Sequence, residues 1–221
     1  MTDPTRITLA DAQPFLKWAG GKGQLLAQYD RFFPRKRGGT YFEPFVGSGA
    51  VFFELRKRGL FDTYHLSDVN PELVNCFTVV RDCVDDLIAA LREHKARHDE
   101  DAHTHYYAVR NLDRDPAWAS ATNVERAARM IYLNKTCYNG LWRVNSKGQF
   151  NVPMGRYRNP DILNEARLRA ASEALQGVDV DTRPFEEVTE RAQAGDFVYF
   201  DPPYYPLSDT ANFTGYSADS F

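Results

Sequence analysis

Apolar positions along the chain recur first at the two-residue period of a strand, then at the three-and-four spacing of a helix, and the switch repeats. Residues 41–45 are aromatic enough for a strand, which runs into Val46-Gly47-Ser48-Gly49 and then an apolar-periodic helix over 50–57. A second short strand over 63–66 ends at Ser67-Asp68, and Pro71 suits the first turn of the next helix, which carries Leu73, Val74 and Phe77. Upstream, residues 13–33 read as a glycine-rich loop, Lys17-Trp18-Ala19-Gly20-Gly21-Lys22-Gly23, with a helix starting near Gln24. Residues 84–98 and 123–135 read as helices with acidic and basic exposed faces, and 161–176 as another helix. A strand over 178–181, a helix over 184–194 and a buried strand over 197–200 complete the pattern, stopped by Asp201-Pro202-Pro203-Tyr204.

Strands alternating with helices predict an α/β fold, a doubly wound Rossmann-like parallel sheet. The stretch 75–167 interrupts the alternation. It reads as an inserted, mostly helical module carrying a β-hairpin over 141–152, with Asn145-Ser146-Lys147-Gly148 as the turn. The expected domains are therefore a discontinuous 1–74 with 168–221, and an insert 75–167.

Composition narrows the class. With 43% hydrophobic and 26% charged residues, a disordered tail is excluded. No run approaches the roughly 18 apolar residues of a membrane span. Residues 1–6 lack an apolar signal region, so a cytoplasmic location is expected. Three cysteines (Cys76, Cys83, Cys137) without a Cys-x-x-Cys pair exclude a disulfide framework and a cysteine zinc site. The net charge of −3 hides an asymmetry. From 129 to 160 there are six bases (Arg129, Lys135, Arg143, Lys147, Arg156, Arg158) and no acid, leaving 21 bases against 30 acids elsewhere. This island is either a footprint for an anionic partner or a fluctuation on a solvated face.

Three segments invite chemistry. The strand, Gly47-Ser48-Gly49 and helix form the geometry that brings backbone close to a cofactor at a helix N-terminus. Phe52 stands where a dinucleotide fingerprint needs its third glycine, so a nucleoside-containing cofactor fits but a pyrophosphate is not demanded. Asp68, at the end of the next strand, is placed to accept hydrogen bonds from ribose hydroxyls. Gly20-Gly21-Lys22 is not a P-loop, because Leu16 and Gly23 occupy the positions that need glycine and Ser or Thr; an ordinary glycine turn is the plain alternative. The sharpest signal is Asp201-Pro202-Pro203-Tyr204 after an aromatic strand. The aspartate oxygen and the Pro202 carbonyl make two acceptors for an exocyclic amino group, with Tyr204 as a stacking platform. Such acceptors favour a pyramidal nitrogen and free its lone pair for attack. The competing reading is a proline-rich turn with a capping aspartate. His94, His98, His103 and His105 lie among acids and read as a solvated helix end, with no metal site expected.

In order, Phe15-Leu16-Lys17-Trp18-Ala19-Gly20-Gly21-Lys22, Phe42-Glu43-Pro44-Phe45-Val46-Gly47-Ser48-Gly49 and Asp201-Pro202-Pro203-Tyr204 resemble the Dam/DpnM-type DNA adenine-N6 methyltransferases. The segment from Tyr138 to Tyr157, with Tyr138-Asn139-Gly140-Leu141-Trp142-Arg143 and Gln149-Phe150-Asn151-Val152-Pro153, is similar to that family's target-recognition segment. The resemblance implies S-adenosyl-L-methionine as donor and an adenine flipped out of double-stranded DNA as acceptor, within GATC or a related short site. It further implies that Trp18, Lys22, Glu43, Phe45, Gly47, Gly49, Asp68, Phe185 and Asp201 bind the donor, and that Asp201, Pro202 and Tyr204 are catalytic. Lys17, Tyr138, Asn139 and Arg143 match positions that meet the recognition sequence, with Lys135, Lys147 and Arg156 as further DNA contacts. Family members continue for several strands after the Asp-Pro-Pro-Tyr strand, so a C-terminally incomplete sheet is expected. The expected assembly is a monomer; a cognate restriction endonuclease and a solitary role both stay open. A catalytically silent or split DNA-binding module is the alternative of a different class. Enzymes that methylate a protein glutamine or cytosine N4 tend to begin the tetrapeptide with Asn or Ser, so Asp201 favours adenine.

Overall fold

The computed structural model describes residues 8–202. Four strands, β1 (Thr40–Glu43), β2 (Thr63–Asp68), β3 (Asp179–Thr182) and β4 (Phe197–Val198), form one parallel sheet in the order β3-β2-β1-β4. The chain moves outward from β1 through β2 to β3, then returns to pair β4 with the opposite side of β1. Such a reversal opens a crevice at the carboxyl ends of the strands flanking it.

Helices cover the sheet because the central strand is buried on both faces, as parallel strands are. In β1, Tyr41 is tilted against Phe61 and Tyr64 on one face, while Phe42 stacks on His65 at 5.0 Å on the other. After a short α1 (Leu26–Tyr29) come α2 (Ala50–Arg58), α3 (Pro71–Asp82), α4 (Val84–Glu100), α5 (Ala102–Asn111) and α6 (Asn123–Thr136). Then follow α7 (Glu165–Leu175) and α8 (Glu186–Arg191). Local chemistry fixes their ends. Gly49 and Gly59 bracket α2 in the left-handed region, Asn70 caps α3 by accepting from the Glu72 and Leu73 amides with Pro71 at the first position, and Thr122 with Glu125 forms a capping box on α6. Apolar residues of α3, α4, α6 and α7 join those of the sheet in one contiguous core.

The hairpin is small. A single antiparallel bridge, Val144 to Phe150, is closed by Asn145, whose Oδ1 accepts from the Lys147 and Gln149 amides. A clamp from the helical side fixes it: the Phe150 N–H donates to Asp113 Oδ2 at 2.8 Å, and its carbonyl accepts from Arg114 at 2.7 Å. Asp113 is itself paired with Arg129, 2.7 Å away.

Several expectations are corrected. Every residue from Ala127 to Thr136 is buried, so the helix expected with exposed charged faces is instead central, wedged against α3 and α4. The helix expected near Gln24 breaks into 3-10 turns around α1, and that over 161–176 starts only at Glu165, capped by the Asn164 side chain. The last strand is two half-buried residues rather than a buried run over 197–200. Of the four histidines His103 is exposed, but the other three are not a solvated helix end. His98 is buried and its Nδ1 lies 2.9 Å from the Tyr132 hydroxyl, while His94 stacks on the Tyr132 ring and shares a 3.1 Å hydrogen bond with His105. Burial holds His94 in its neutral form, pushing its pKa down to about 4. These histidines fill the seam between α4, α5 and α6. Among the described residues no helix is long and apolar enough to cross a membrane.

Candidate active site and nucleic-acid interface

The crevice is built from the loops that leave β1, β2 and β4. Beyond β1 the Val46 amide donates to the Ser67 carbonyl at 3.1 Å, which ties the glycine loop to the end of β2. Gly47 and Gly49 have φ of 49° and 69°, a region side chains rarely adopt. The absence of a side chain matters equally at Gly47: a Cβ there would stand 2.9 Å from Cδ1 of Trp18, so the indole packs directly on the loop.

Two carboxylates line this loop. Glu43 is buried and accepts from the Tyr41 hydroxyl at 2.8 Å and the Phe52 amide at 3.1 Å. Burial raises its pKa to about 8, and the negative charge of Asp201 pushes the same way, placing the two acids within electrostatic reach. Asp68 is half-buried, accepts from the Asn70 amide at 3.0 Å, and is raised to about 6 by burial against the backbone amides that favour its charge. A carboxylate held this way gains from further donors such as hydroxyls.

Asp201 lies three residues beyond β4, which pairs with β1 on the side away from β2. Its Oδ2 lies 2.5 Å from Nζ of Lys22, whose buried ammonium also donates to the Gly20 carbonyl at 2.7 Å. The lysine of the first glycine-rich loop therefore reaches the tetrapeptide near the other end of the chain, a pairing that neither motif signals alone. Pro202 follows; Pro203 and Tyr204 lie outside the described residues. Rings of Phe45, Phe185 and Phe200 meet with centroids 5.4 to 6.4 Å apart, gathering residues that follow β1, β3 and β4.

The basic island is smaller than its sequence count. Arg129 is buried, donating to the Val109 and Arg110 carbonyls and paired with Asp113. Lys135, expected as a DNA contact, is also buried, and burial lowers its pKa to about 8 with Arg167 and Lys17 adding repulsion. Arg143, Lys147, Arg156 and Arg158 are exposed. Arg143 is braced by its Nε donating to Asn151 Oδ1 at 2.7 Å across the hairpin.

Lys17 sits beside the turn at 138–140. Tyr138 is exposed, Asn139 takes a left-handed φ of 54°, and a Cβ on Gly140 would lie 2.7 Å from the Lys17 stem. The Lys17 ammonium lies over the Tyr157 ring, 4.0 Å from its centre. Asn134, Asp113 and Arg114 hold this surface from beneath and were not singled out from sequence. Asn134 carries one sequence signal, a polar residue directly after the apolar run Met130–Leu133; Asp113 and Arg114, in a 3-10 turn at 112–114, carry none.

Comparison with known proteins gives a consistent set of likenesses. A family model described as D12 class N6 adenine-specific DNA methyltransferase matches residues 18–221. The chain is 46% identical over 96% of its length to a type II methyltransferase, M.MjaIII, of Methanocaldococcus jannaschii, covering 75% of that protein. It is 43% identical to the type II methyltransferase M1.LlaDCHI of Lactococcus lactis, with 95% of this chain and 72% of the relative aligned. It is 38% identical to a DNA adenine methylase of Haemophilus influenzae, over 95% of this chain and 70% of the relative.

Proposed function

Because the chain belongs to the D12 class of N6 adenine-specific DNA methyltransferases, we propose that its crevice binds S-adenosyl-L-methionine and that its exposed basic hairpin selects the DNA site, GATC or a related short sequence. The observation that carries this reading is the pairing of Asp201, followed by Pro202, with the buried Lys22 of the first glycine-rich segment, whose Trp18 packs on Gly47. The residues fit the donor. Gly47 and Gly49 give the loop its left-handed turn, the raised pKa of Asp68 marks a carboxylate that ribose hydroxyls would stabilise, and Phe45 and Phe185 offer ring faces to a nucleobase. When bound, the donor supplies an electrophilic methyl on a sulfonium sulfur.

This chain's residues do the rest. Asp201 and the Pro202 carbonyl accept the two amino protons of an adenine rotated out of the duplex, directing the nitrogen lone pair toward the methyl carbon. With the donor bound, transfer would leave a neutral thioether as leaving group, and Asp201 with water would take up the one proton that the methylated amino group gives up. Tyr204 is assigned the stacking role beside the flipped base. Residues 1–74 with 168–221 are assigned the donor and catalytic part and 75–167 target recognition. Lys17, Tyr138, Asn139 and Arg143 face the bases in this reading, with Lys147 and Arg156 on phosphates and Lys135 supporting from beneath. The enzyme is read as a cytoplasmic monomer; the type II names of two relatives fit a role beside a restriction endonuclease.

Incubation with methyl-labelled donor and duplex DNA, followed by mapping of modified positions, tests the proposal. Label on adenine N6 within one short sequence is expected. DNA binding without any transfer would leave the silent-module reading in its place.

Arg143 gives a sharper test of target selection. Braced on the hairpin, its guanidinium retains donors for guanine O6 and N7. Arg143→Ala is expected to cost about 1–3 kcal/mol on the cognate site and to relax discrimination at one base pair. Equilibrium binding to cognate and scrambled duplexes at several salt concentrations decides it. Equal loss on both, with a salt slope lower by about one, would assign Arg143 to phosphate instead.

A further inference from the structure

We propose that Asn134 is a positioning residue that sets where Lys17 meets the DNA, and so takes part in specificity without touching a base. Asn134 is fully buried near the end of α6, yet its amide is completely used. Oδ1 accepts from the Lys17 amide at 2.8 Å, while Nδ2 donates to the Lys17 carbonyl at 2.7 Å and to the Gly140 carbonyl at 3.0 Å. Only this orientation works, because the flipped amide would oppose two donors at Lys17 and an oxygen to each carbonyl. One side chain thus grips both backbone polar groups of Lys17, as a neighbouring strand would, and joins them to the left-handed turn that follows Tyr138.

Three restraints converge on Lys17. Its backbone is held by Asn134, its stem lies against Gly140 with no space for a Cβ, and its ammonium rests on the Tyr157 ring. Tyr157 acts on the far end of a flexible side chain and Gly140 bears on its stem from Cβ outward, whereas Asn134 holds the backbone from which that side chain starts. A displacement of its base of order 1 Å is enough to misplace a charged hydrogen bond in a recognition site. The same backbone continues into Trp18, which packs on Gly47 of the glycine loop, so the grip also sits beside the donor crevice.

This inference rests on the proposed role of Lys17 against the recognition sequence, and the test separates the two. Initial rates of labelled methyl transfer by the full chain are measured on the cognate duplex and on duplexes with one base pair changed at a time. The proteins compared are wild type, Lys17→Ala, Asn134→Ala, the isosteric Asn134→Asp, and the Lys17→Ala/Asn134→Ala double variant. Lys17→Ala is expected to relax discrimination at one base pair, which identifies the position it reads. Asn134→Ala should relax discrimination at that same base pair by roughly tenfold, leave the others unchanged, and add nothing in the Lys17→Ala background. Should Asn134→Ala fold poorly, Asn134→Asp keeps size and one acceptor while losing both donors, and should show the same positional pattern. A uniform loss on all duplexes, or additive losses in the double variant, overturns the positioning role. If Lys17→Ala leaves discrimination intact at every position, the reading of Lys17 falls and the inference with it.

Discussion

Replacing Asp201 with alanine is expected to lower methyl transfer by roughly 10²–10³-fold or more, with DNA affinity nearly intact. The magnitude follows from the loss of a preorganised acceptor at the atom where charge changes, and here a second effect adds to it. Lys22 is buried and is held by Asp201 and by the Gly20 carbonyl. Without Asp201 its ammonium faces the glycine loop with less compensation, which disfavours a sulfonium donor carrying the same sign of charge. Asp201→Asn separates these contributions, since it keeps an acceptor oxygen but removes the charge. Single-turnover methyl transfer and equilibrium DNA binding are the two measurements. Near-wild-type turnover in the alanine variant would remove Asp201 from the catalytic set.

Truncation of Arg129 is expected to have the largest effect on stability, about 3–5 kcal/mol for Arg129→Ala. Its side chain is 5% exposed and Asp113 12%, so solvent screens the pair little. The guanidinium also donates to two backbone carbonyls and lies against the Trp118 ring. Removing it strands a nearly buried carboxylate and two carbonyls. Asp113 keeps Arg114 as a partner, which limits but does not cancel the loss. Urea denaturation measures the change, and a loss under 1 kcal/mol would contradict it. The Arg129→Ala/Asp113→Ala double variant should lose less than the two single losses together, because the nearly buried Asp113 carboxylate is no longer left without Arg129.

Local signals make the sheet and its flanking loops legible. Glycines at Gly47 and Gly49, the proline at Pro71 and the capping side chains act within a few residues, and the strands expected over 41–45, 63–66 and 178–181 lie near their observed places. Residues 75–167 are harder to read because their order comes from burial across the chain. Counting Arg129 and Lys135 with the exposed bases treated charge as a surface property, whereas both lie in a helix whose final ten residues are all buried. Acidic neighbours in sequence disguised His94 and His98, which point instead at Tyr132 from the inner side of α4. The meeting of Lys22 with Asp201 depends on the return of β4 beside β1, a topological fact with no trace in either motif alone.

The shared core bears on how such an enzyme can change its target. A cassette exchanged at residues 75 and 167 would cut inside α3 and through the first turns of α7, tearing side chains from both packing partners. Between 138 and 158 the chain is mostly surface, and its bases project from a turn and a one-bridge hairpin. On the proposed role of that short outer segment, new specificities are accessible by substitution there, provided Asp113, Arg114, Arg129 and Asn134 persist underneath as an unchanging socket. Libraries built on this division would keep their members folded while varying what they read.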